Sequence, residues 1–417
     1  MTYKFIRQNC KVCCKRPAVK YSKRRRFGIA GPSRSTNEVF ARLKEMNPIK
    51  VSICISTRNR GAFIGETLES IVLQANEEVE IVVLDGASTD NTQEIVEAYL
   101  ERFPGLRYFR RETNMGIDRD FANAVDLARG DYCWLFTDDD LLKPGALRIV
   151  LDALKNEYSL IIANSEVRNA DLSKLLEARR VPIQANRIYK SDENHLLLAD
   201  TGAYLSFIGH NIIQRQLWHA RDKASYFGSY FIHIGVVFQQ PLPSDTLVIA
   251  EPLVTIRYGN ASWLARSFEI WMFKWPGLVW SFPHLPDSAK SRVCPREPWR
   301  SPKTLLHYRA NKTYSKREYT EWLKPRLTSF WARAVSKACA YFPGRMANLL
   351  GFVYYSLFRR PSSCLLSVLD LTNSPFCFWK LPIRPVSPFK ENPVVISNGV
   401  RLSSITSPVD RKEESDI

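Results

Sequence analysis

Tyr132-Cys133-Trp134-Leu135-Phe136-Thr137-Asp138-Asp139-Asp140 joins an apolar run to an acidic end. Five largely apolar residues suffice for a buried strand, and they deliver three carboxylates together where it stops. Carboxylates at that density raise one another's pKa unless a cation sits among them. A hard divalent ion gripping a diphosphate is one reason for such a cluster. A solvated acidic turn capping the next helix is the other. Capping fits less well, because Pro144 marks the expected start of that helix and the three acids lie too far upstream.

Working outward, Val51-Ser52-Ile53-Cys54-Ile55-Ser56 predicts a core strand. Between Gly61 and Gln74, Ile64, Leu68, Ile71 and Val72 recur at helical spacing. Glu80 to Leu84 predicts a second strand, running into Asp85-Gly86-Ala87-Ser88-Thr89-Asp90. Ser88, Thr89 and Asp90 offer caps for a helix ending near Arg102. Leu106 to Arg110 reads as a third strand and Asp120 to Arg129 as a helix. This alternation implies right-handed βαβ units, an α/β fold and a mainly parallel sheet. Ligands of such sheets lie beyond the carboxyl ends of the strands. Arg58, Asp85 and Asp138 to Asp140 all fall at those ends, so three polar clusters converge on one crevice.

The second half is less regular. Ser159 to Asn164 predicts another strand, and Thr201 to Gln214 alternates short apolar and polar pieces. Tyr258 to Pro283 is dense in aromatics, and beyond Ser301 the chain turns basic and helical. The expected division is a basic arm over 1–46, a catalytic domain over 47–255 and an aromatic, acceptor- or membrane-facing segment over 256–300. A basic helical extension over 301–391 and a loose tail over 392–417 complete it.

The 417 residues carry a formal charge of +17, of which Met1 to Glu45 supply most, with thirteen Lys or Arg against two Glu. That arm lacks the apolar stretch of about 7–15 residues that a secretory signal needs. It fits a lipid-touching arm, a nucleic-acid tail or an overextended gene start. An odd count of nine cysteines argues against a fully paired disulfide framework and suits a reducing cytosol. Cys10 and Cys13 have no matching pair to complete a zinc site, while Cys54 and Cys133 read as buried thiols. No segment reaches the roughly 18–20 apolar residues that span a bilayer. Met346 to Phe358 comes closest, and with Arg333, Lys337 and Arg345 interleaved upstream it reads as part of a membrane-surface helix pair. An ordinary buried helix is the alternative.

Ser56-Thr57-Arg58-Asn59, Asp85-Gly86-Ala87-Ser88-Thr89-Asp90-Asn91-Thr92, Asn114-Met115-Gly116, Ala128-Arg129-Gly130-Asp131-Tyr132 and the Asp-x-Asp-like Thr137-Asp138-Asp139-Asp140 follow one another between Pro48 and Leu154. Over that span the chain resembles the inverting family 2 glycosyltransferases, and the resemblance implies their nucleotide-sugar-binding GT-A fold. Phe231-Ile232-His233-Ile234-Gly235 adds a likeness to the abequosyltransferase-like group of O-antigen enzymes.

The resemblance implies residue roles. Asp139 would ligate Mg2+ or Mn2+, Asp138 would lie against the ribose or the metal's water shell, and Asp140 would stand behind the metal or touch the sugar. Thr137 stands where relatives often carry another Asp. Asp85 would recognise the base, with Ser56, Thr57, Arg58 and Asn59 lining its pocket. The family commonly has an aromatic at Arg58, so stacking would come from a guanidinium plane. The family's Arg-Asn pair falls on Phe121-Ala122, which leaves Arg119, between Asp118 and Asp120, as the substitute donor contact. Arg257 and Arg266 flank a candidate loop over the diphosphate, and the family's downstream Glu-Asp pair is missing. His233 is therefore the candidate general base, with a packed core histidine as the alternative.

The implied activity is transfer of a sugar, for instance a deoxyhexose such as abequose, from a nucleotide sugar to a lipid-linked (polyprenyl diphosphate) oligosaccharide in O-antigen biosynthesis. Such an enzyme would sit peripherally on the cytoplasmic face of the bacterial inner membrane. A sugar nucleotidyltransferase would want a Gly-rich loop after the first strand, where Ser56 to Gly61 has one glycine. A non-catalytic lipid- or nucleic-acid-binding protein is allowed by charge alone. The crevice carboxylates speak against a nucleic-acid backbone there, so no nucleic-acid partner is expected.

Overall fold

The computed structural model describes residues 49–378 apart from 262 and 359–360. The basic arm, Cys10, Cys13 and the 392–417 tail lie outside the described residues. Strand β1 (Val51–Thr57) is buried at six of seven positions, as a strand covered on both faces must be. It leads into helix α1 (Gly61–Val72), then β2 (Val79–Asp85), α2 (Thr92–Leu100), β3 (Leu106–Arg110), α3 (Ile117–Leu127) and β4 (Tyr132–Phe136). Helix α1 turns Ile64, Leu68 and Ile71 onto the sheet at the expected spacing. After β5 (Leu141–Leu142) come α4 (Ala146–Leu154), β6 (Leu160–Arg168), β7 (Leu175–Glu177), β8 (Arg187–Tyr189), β9 (Asn211–Gln214) and β10 (Thr246–Arg257).

The strands form one sheet in the order β3-β2-β1-β4-β9-β6-β10-β5, with β7 beside β6 and β8 beside β10. β3, β2, β1 and β4 pair in parallel, as do β6 and β10. Two apolar cores sandwich the sheet. Ile53, Ile55, Trp134 and Phe136 face one side with Leu68 and Val150, while Cys54, Cys133 and Leu135 face the other with Phe121 and Trp218. This is the mainly parallel α/β architecture that the alternation implied.

Three details differ from expectation. β9 enters antiparallel between β4 and β6, after a helix at Asn194–Thr201 that follows β8. The helix after the acidic run starts at Ala146, with Gly145 at φ 82° before it; Pro144 belongs to the turn. Leu141 and Leu142 are drawn instead into a short antiparallel pairing with β10. The aromatic segment is divided: Phe268, Trp275, Phe282 and Trp299 are buried, with Trp275 edge-on against Phe231 at 4.7 Å, while Trp263 and Leu264 are exposed.

Beyond it lie helices Pro302–Ala310, Phe330–Tyr341, Gly344–Phe358 and Pro361–Asn373. The first has a Ser-Pro start, in which Ser301 Oγ accepts from Thr304 N. Pro302–Ala310 and Phe330–Tyr341 border a small core containing Trp299, Leu305, Tyr314 and Leu323, while the last two helices pack through Ala347 and Leu371 against Ala310. The Tyr258 hydroxyl donates to Asp370 Oδ1 at 2.8 Å, tying the last helix to the end of β10.

Candidate active site

Parallel pairing sets Thr57 beside Asp85 and carries β4 alongside β1, so the loops after β2, β1 and β4 open at one edge. Asn59 sits at φ 54°, a left-handed conformation that Asn tolerates. Its Oδ1 accepts from Thr89 N at 2.7 Å and its own N–H donates to Ser88 Oγ at 2.9 Å. The first loop is thereby stapled to the second. Asp90 lies one residue before the N-cap Asn91, and its side chain accepts from Thr92 N and also from Gly61 N. Gly86 gives room here: a Cβ there would come 2.8 Å from Asp120 Oδ2, and that carboxylate would have to shift.

Asp85 is wholly buried at the end of β2. Oδ1 accepts from Ser88 N at 2.7 Å and Oδ2 from the Tyr108 hydroxyl at 2.6 Å, with Arg110 Nε 4.0 Å away. Burial and the bond to Asp85 push the Tyr108 phenol well above its usual range, so it stays a donor. Arg58, next after Thr57, is exposed, and its charge acts on Asp120.

The acids after β4 are not equivalent. Asp140 is buried, accepting from the Thr137 hydroxyl and from Arg257 N, and its own carbonyl accepts from Thr67 Oγ1. It is an internal fastener, not a group facing substrate. Asp138 and Asp139 both turn to Arg60, whose Nε donates to Asp138 Oδ1 at 3.1 Å and whose second terminal nitrogen meets Asp139 Oδ2. Arg60 also donates to Asn260 O at 3.2 Å and lies 4.7 Å over the Phe63 ring. Burial, then the charge of Asp139, pushes Asp138 up to about 6 despite Arg60 and Thr57. Burial likewise raises Asp139 and, most of all, Asp140. Arg60 thus faces two adjacent carboxylates, and the Arg257 charge also acts on Asp139 from behind.

That arrangement bears on a divalent ion. Among the described residues no cluster of three or more His, Cys, Asp or Glu is arranged to hold a metal. Mg2+ and Mn2+ at diphosphates need less, taking one or two carboxylates and completing their shell with phosphate oxygens and water. The hard oxygens of Asp138 and Asp139 fit that pattern, with Arg60 as the competing cation.

Other expected contacts prove to be internal. Asp118 accepts from Gly228 N, Tyr230 N and Ile232 N at 2.8, 2.9 and 3.1 Å, so it shapes the 228–232 loop instead of touching a donor. Arg119 is exposed and stacks 4.3 Å over Phe227. Arg257 is spent on Asp139 O, Ala170 O and Glu66, locking β10 to the acidic loop. Arg266 pairs with Glu269 at 2.8 Å and lies over Tyr230. His233 is 1% exposed, its Nε2–H donating to Leu205 O at 2.9 Å, and burial pushes it down to about 4. Enclosed like this it is a core histidine, which corrects the general-base expectation.

Sequence inspection passed over Arg60, Tyr108 and Glu66. Arg60 was the most findable: a cation three residues beyond β1, next to the strand that bears the acids.

Residues 52–216 match the sequence profile of Glycosyl transferase family 2. The chain is 31% identical over 226 residues to abequosyltransferase RfbV of Salmonella typhimurium strain LT2, covering 51% of this chain and 68% of that protein. It is 24% identical over 182 residues to GalNAc(5)-diNAcBac-PP-undecaprenol beta-1,3-glucosyltransferase of Campylobacter jejuni, covering 43% and 57% respectively. Among solved structures, S. aureus TarS 1-349 in complex with UDP-GlcNAc aligns with a TM-score of 0.46 at 15% identity, over 78% of this chain and 89% of that one.

Proposed function

The chain belongs to glycosyl transferase family 2, and on that premise we propose that its crevice holds the diphosphate of a nucleotide sugar and passes the sugar, with inversion, to a lipid-linked oligosaccharide. The observation carrying this reading is the Arg60-bridged pair Asp138 and Asp139, set one strand away from Asp85 across β1.

Asp85, steadied by Ser88 and Tyr108, accepts a hydrogen bond from the base, and Arg58 stacks on its face. Arg60 is already oriented at the acidic pair, and its planar fork matches phosphate oxygens as well as carboxylates. A bound Mg2+ or Mn2+, held by Asp139 and Asp138, would neutralise the charge that grows on the departing nucleoside diphosphate. Asp140 and Arg257 keep the pair facing the crevice from behind. The acceptor hydroxyl attacks the anomeric carbon, the bond from that carbon to the phosphate oxygen breaks, and the hydroxyl proton passes to a base.

The Salmonella relative supports a deoxyhexose such as abequose as the donor sugar, and the Campylobacter relative supports a polyprenyl diphosphate acceptor. An acceptor of that kind would bring the enzyme to the cytoplasmic face of the bacterial inner membrane, for surface-polysaccharide assembly. The test is nucleoside diphosphate release from a panel of nucleotide sugars, with and without Mg2+ or Mn2+ and a polyprenyl diphosphate oligosaccharide. Release that needs both acceptor and cation supports the reading. Release from no donor in the panel, by protein that is folded, contradicts it.

A further inference from the structure

The helices beyond β10 leave rows of apolar side chains in solvent. In Phe330–Tyr341 the buried positions are Ser336, Cys339 and Ala340, and helical spacing sets Phe330, Ala334, Ala338 and Tyr341 on the opposite side. Phe330 and Trp331 are 76% and 75% exposed and touch each other edge-to-face at 5.7 Å. Arg333 and Lys337 border that side, with Lys337 5.9 Å from the Tyr341 ring centre. The next helix, Gly344–Phe358, repeats the pattern. Met346, Leu350, Val353 and Leu357 recur at intervals of four and three, spacing that normally faces a core, yet all four are exposed. Soluble monomers rarely leave such stripes without a partner.

Charge indicates which partner. Residues 301–360 contain twelve Lys or Arg against Glu318 and Glu321. Exposed aromatic and aliphatic side chains bordered by cations suit the boundary between anionic headgroups and acyl chains, where rings enter and cations meet phosphates. Among the described residues, no helix is long and apolar enough to cross a membrane. We infer that the outward faces of Phe330–Tyr341 and Gly344–Phe358 dock on an anionic lipid bilayer, lying on it and not through it. Docking gives the lipid-linked-acceptor reading a surface to work at, yet lipid binding is measurable without any transfer.

The experiment is co-sedimentation of the full chain with vesicles of one part phosphatidylglycerol to two parts phosphatidylcholine, beside pure phosphatidylcholine. The wild type should favour the anionic vesicles and be released by salt. Phe330→Ser with Trp331→Ser should lower partitioning about tenfold, as should Leu350→Gln with Leu357→Gln. Nucleotide-sugar binding should stay unchanged in both, since neither pair lies at the crevice. Equal partitioning of wild type and both double variants overturns the inference, as does equal wild-type binding to neutral and anionic vesicles. Sedimentation velocity without lipid separates the remaining occupant. A wild-type dimer that the variants dissociate, with no vesicle binding, would assign these faces to a second copy instead.

Discussion

The crevice buries charge, whereas the C-terminal helices expose apolar surface, and both run against the usual partition of residues. Asp85, Asp118, Asp120 and Asp140 are almost wholly covered at one edge of the sheet, each tied to backbone N–H groups, hydroxyls or arginines. Phe330, Trp331, Leu350 and Leu357 stand in water with much of their surface uncovered. Each arrangement sacrifices stability where a partner is to arrive. On the readings proposed above, the partners differ: positive charge and phosphate at the crevice, an apolar layer edged with anions at the helices.

The largest effect should follow from removing the crevice's resident cation. Arg60→Ala leaves Asp138 and Asp139 uncompensated, costing about 3 kcal/mol of stability and roughly 100-fold in donor affinity. Chemical denaturation and a donor titration measure the two separately. If donor affinity holds while stability drops, Arg60 is a structural counterion and its assignment to the diphosphate is wrong. Next in size is Arg257→Met, which frees the acidic loop from β10 and Glu66. It should cost about 2 kcal/mol in denaturation midpoint analysis and weaken transfer through misplaced acids, with donor specificity kept.

Acid titration sharpens the comparison further. Burial lifts folded Asp138 to about 6, above an unfolded value of 3.8, so the unfolded chain ionises first and stability declines as pH rises between those values. Burial lowers folded His233 to about 4 from 6.5, so that group loses stability as pH falls through the same range. The two slopes oppose each other. Asp138→Asn should lessen the first and His233→Gln the second, with Asp370 at about 6 and His307 at about 4 keeping part of each, read from denaturation midpoints between pH 4 and 6.5. The smallest effect is kinetic: His233→Gln should change transfer less than about threefold, because its ring serves packing. A hundredfold loss with an intact fold would restore it as the base.

Much of this was legible in the sequence. β1, β2 and β4 are covered on both faces, so they read as largely apolar runs, broken by the buried Ser52 and Glu80 that bond each other, and the polar residues ending them had to gather at one edge. β5 and β9 escaped because two to four residues carry no periodicity of their own and pair only through the fold. At the site, Asp85, Asp138 and Asp139 lie at the strand ends where the sequence put them. Asn59, Asp118, Asp140 and Arg257 were also expected at the ligand, and their hydrogen bonds, like those of both Asp85 oxygens, go to the protein itself. Residue type and strand position bring a polar group to the crevice; which loop folds over it decides whether it remains free. Arg60 is the converse case, a turn residue whose role exists only because β4 runs beside β1.

The most direct test is transfer by Asp139→Asn, which keeps the side chain's shape and removes its charge. With a donor that the wild type uses, the variant should fold, bind the base portion and lose at least about 100-fold in nucleoside diphosphate release, with or without Mg2+ or Mn2+. Release at the wild-type rate would contradict the account.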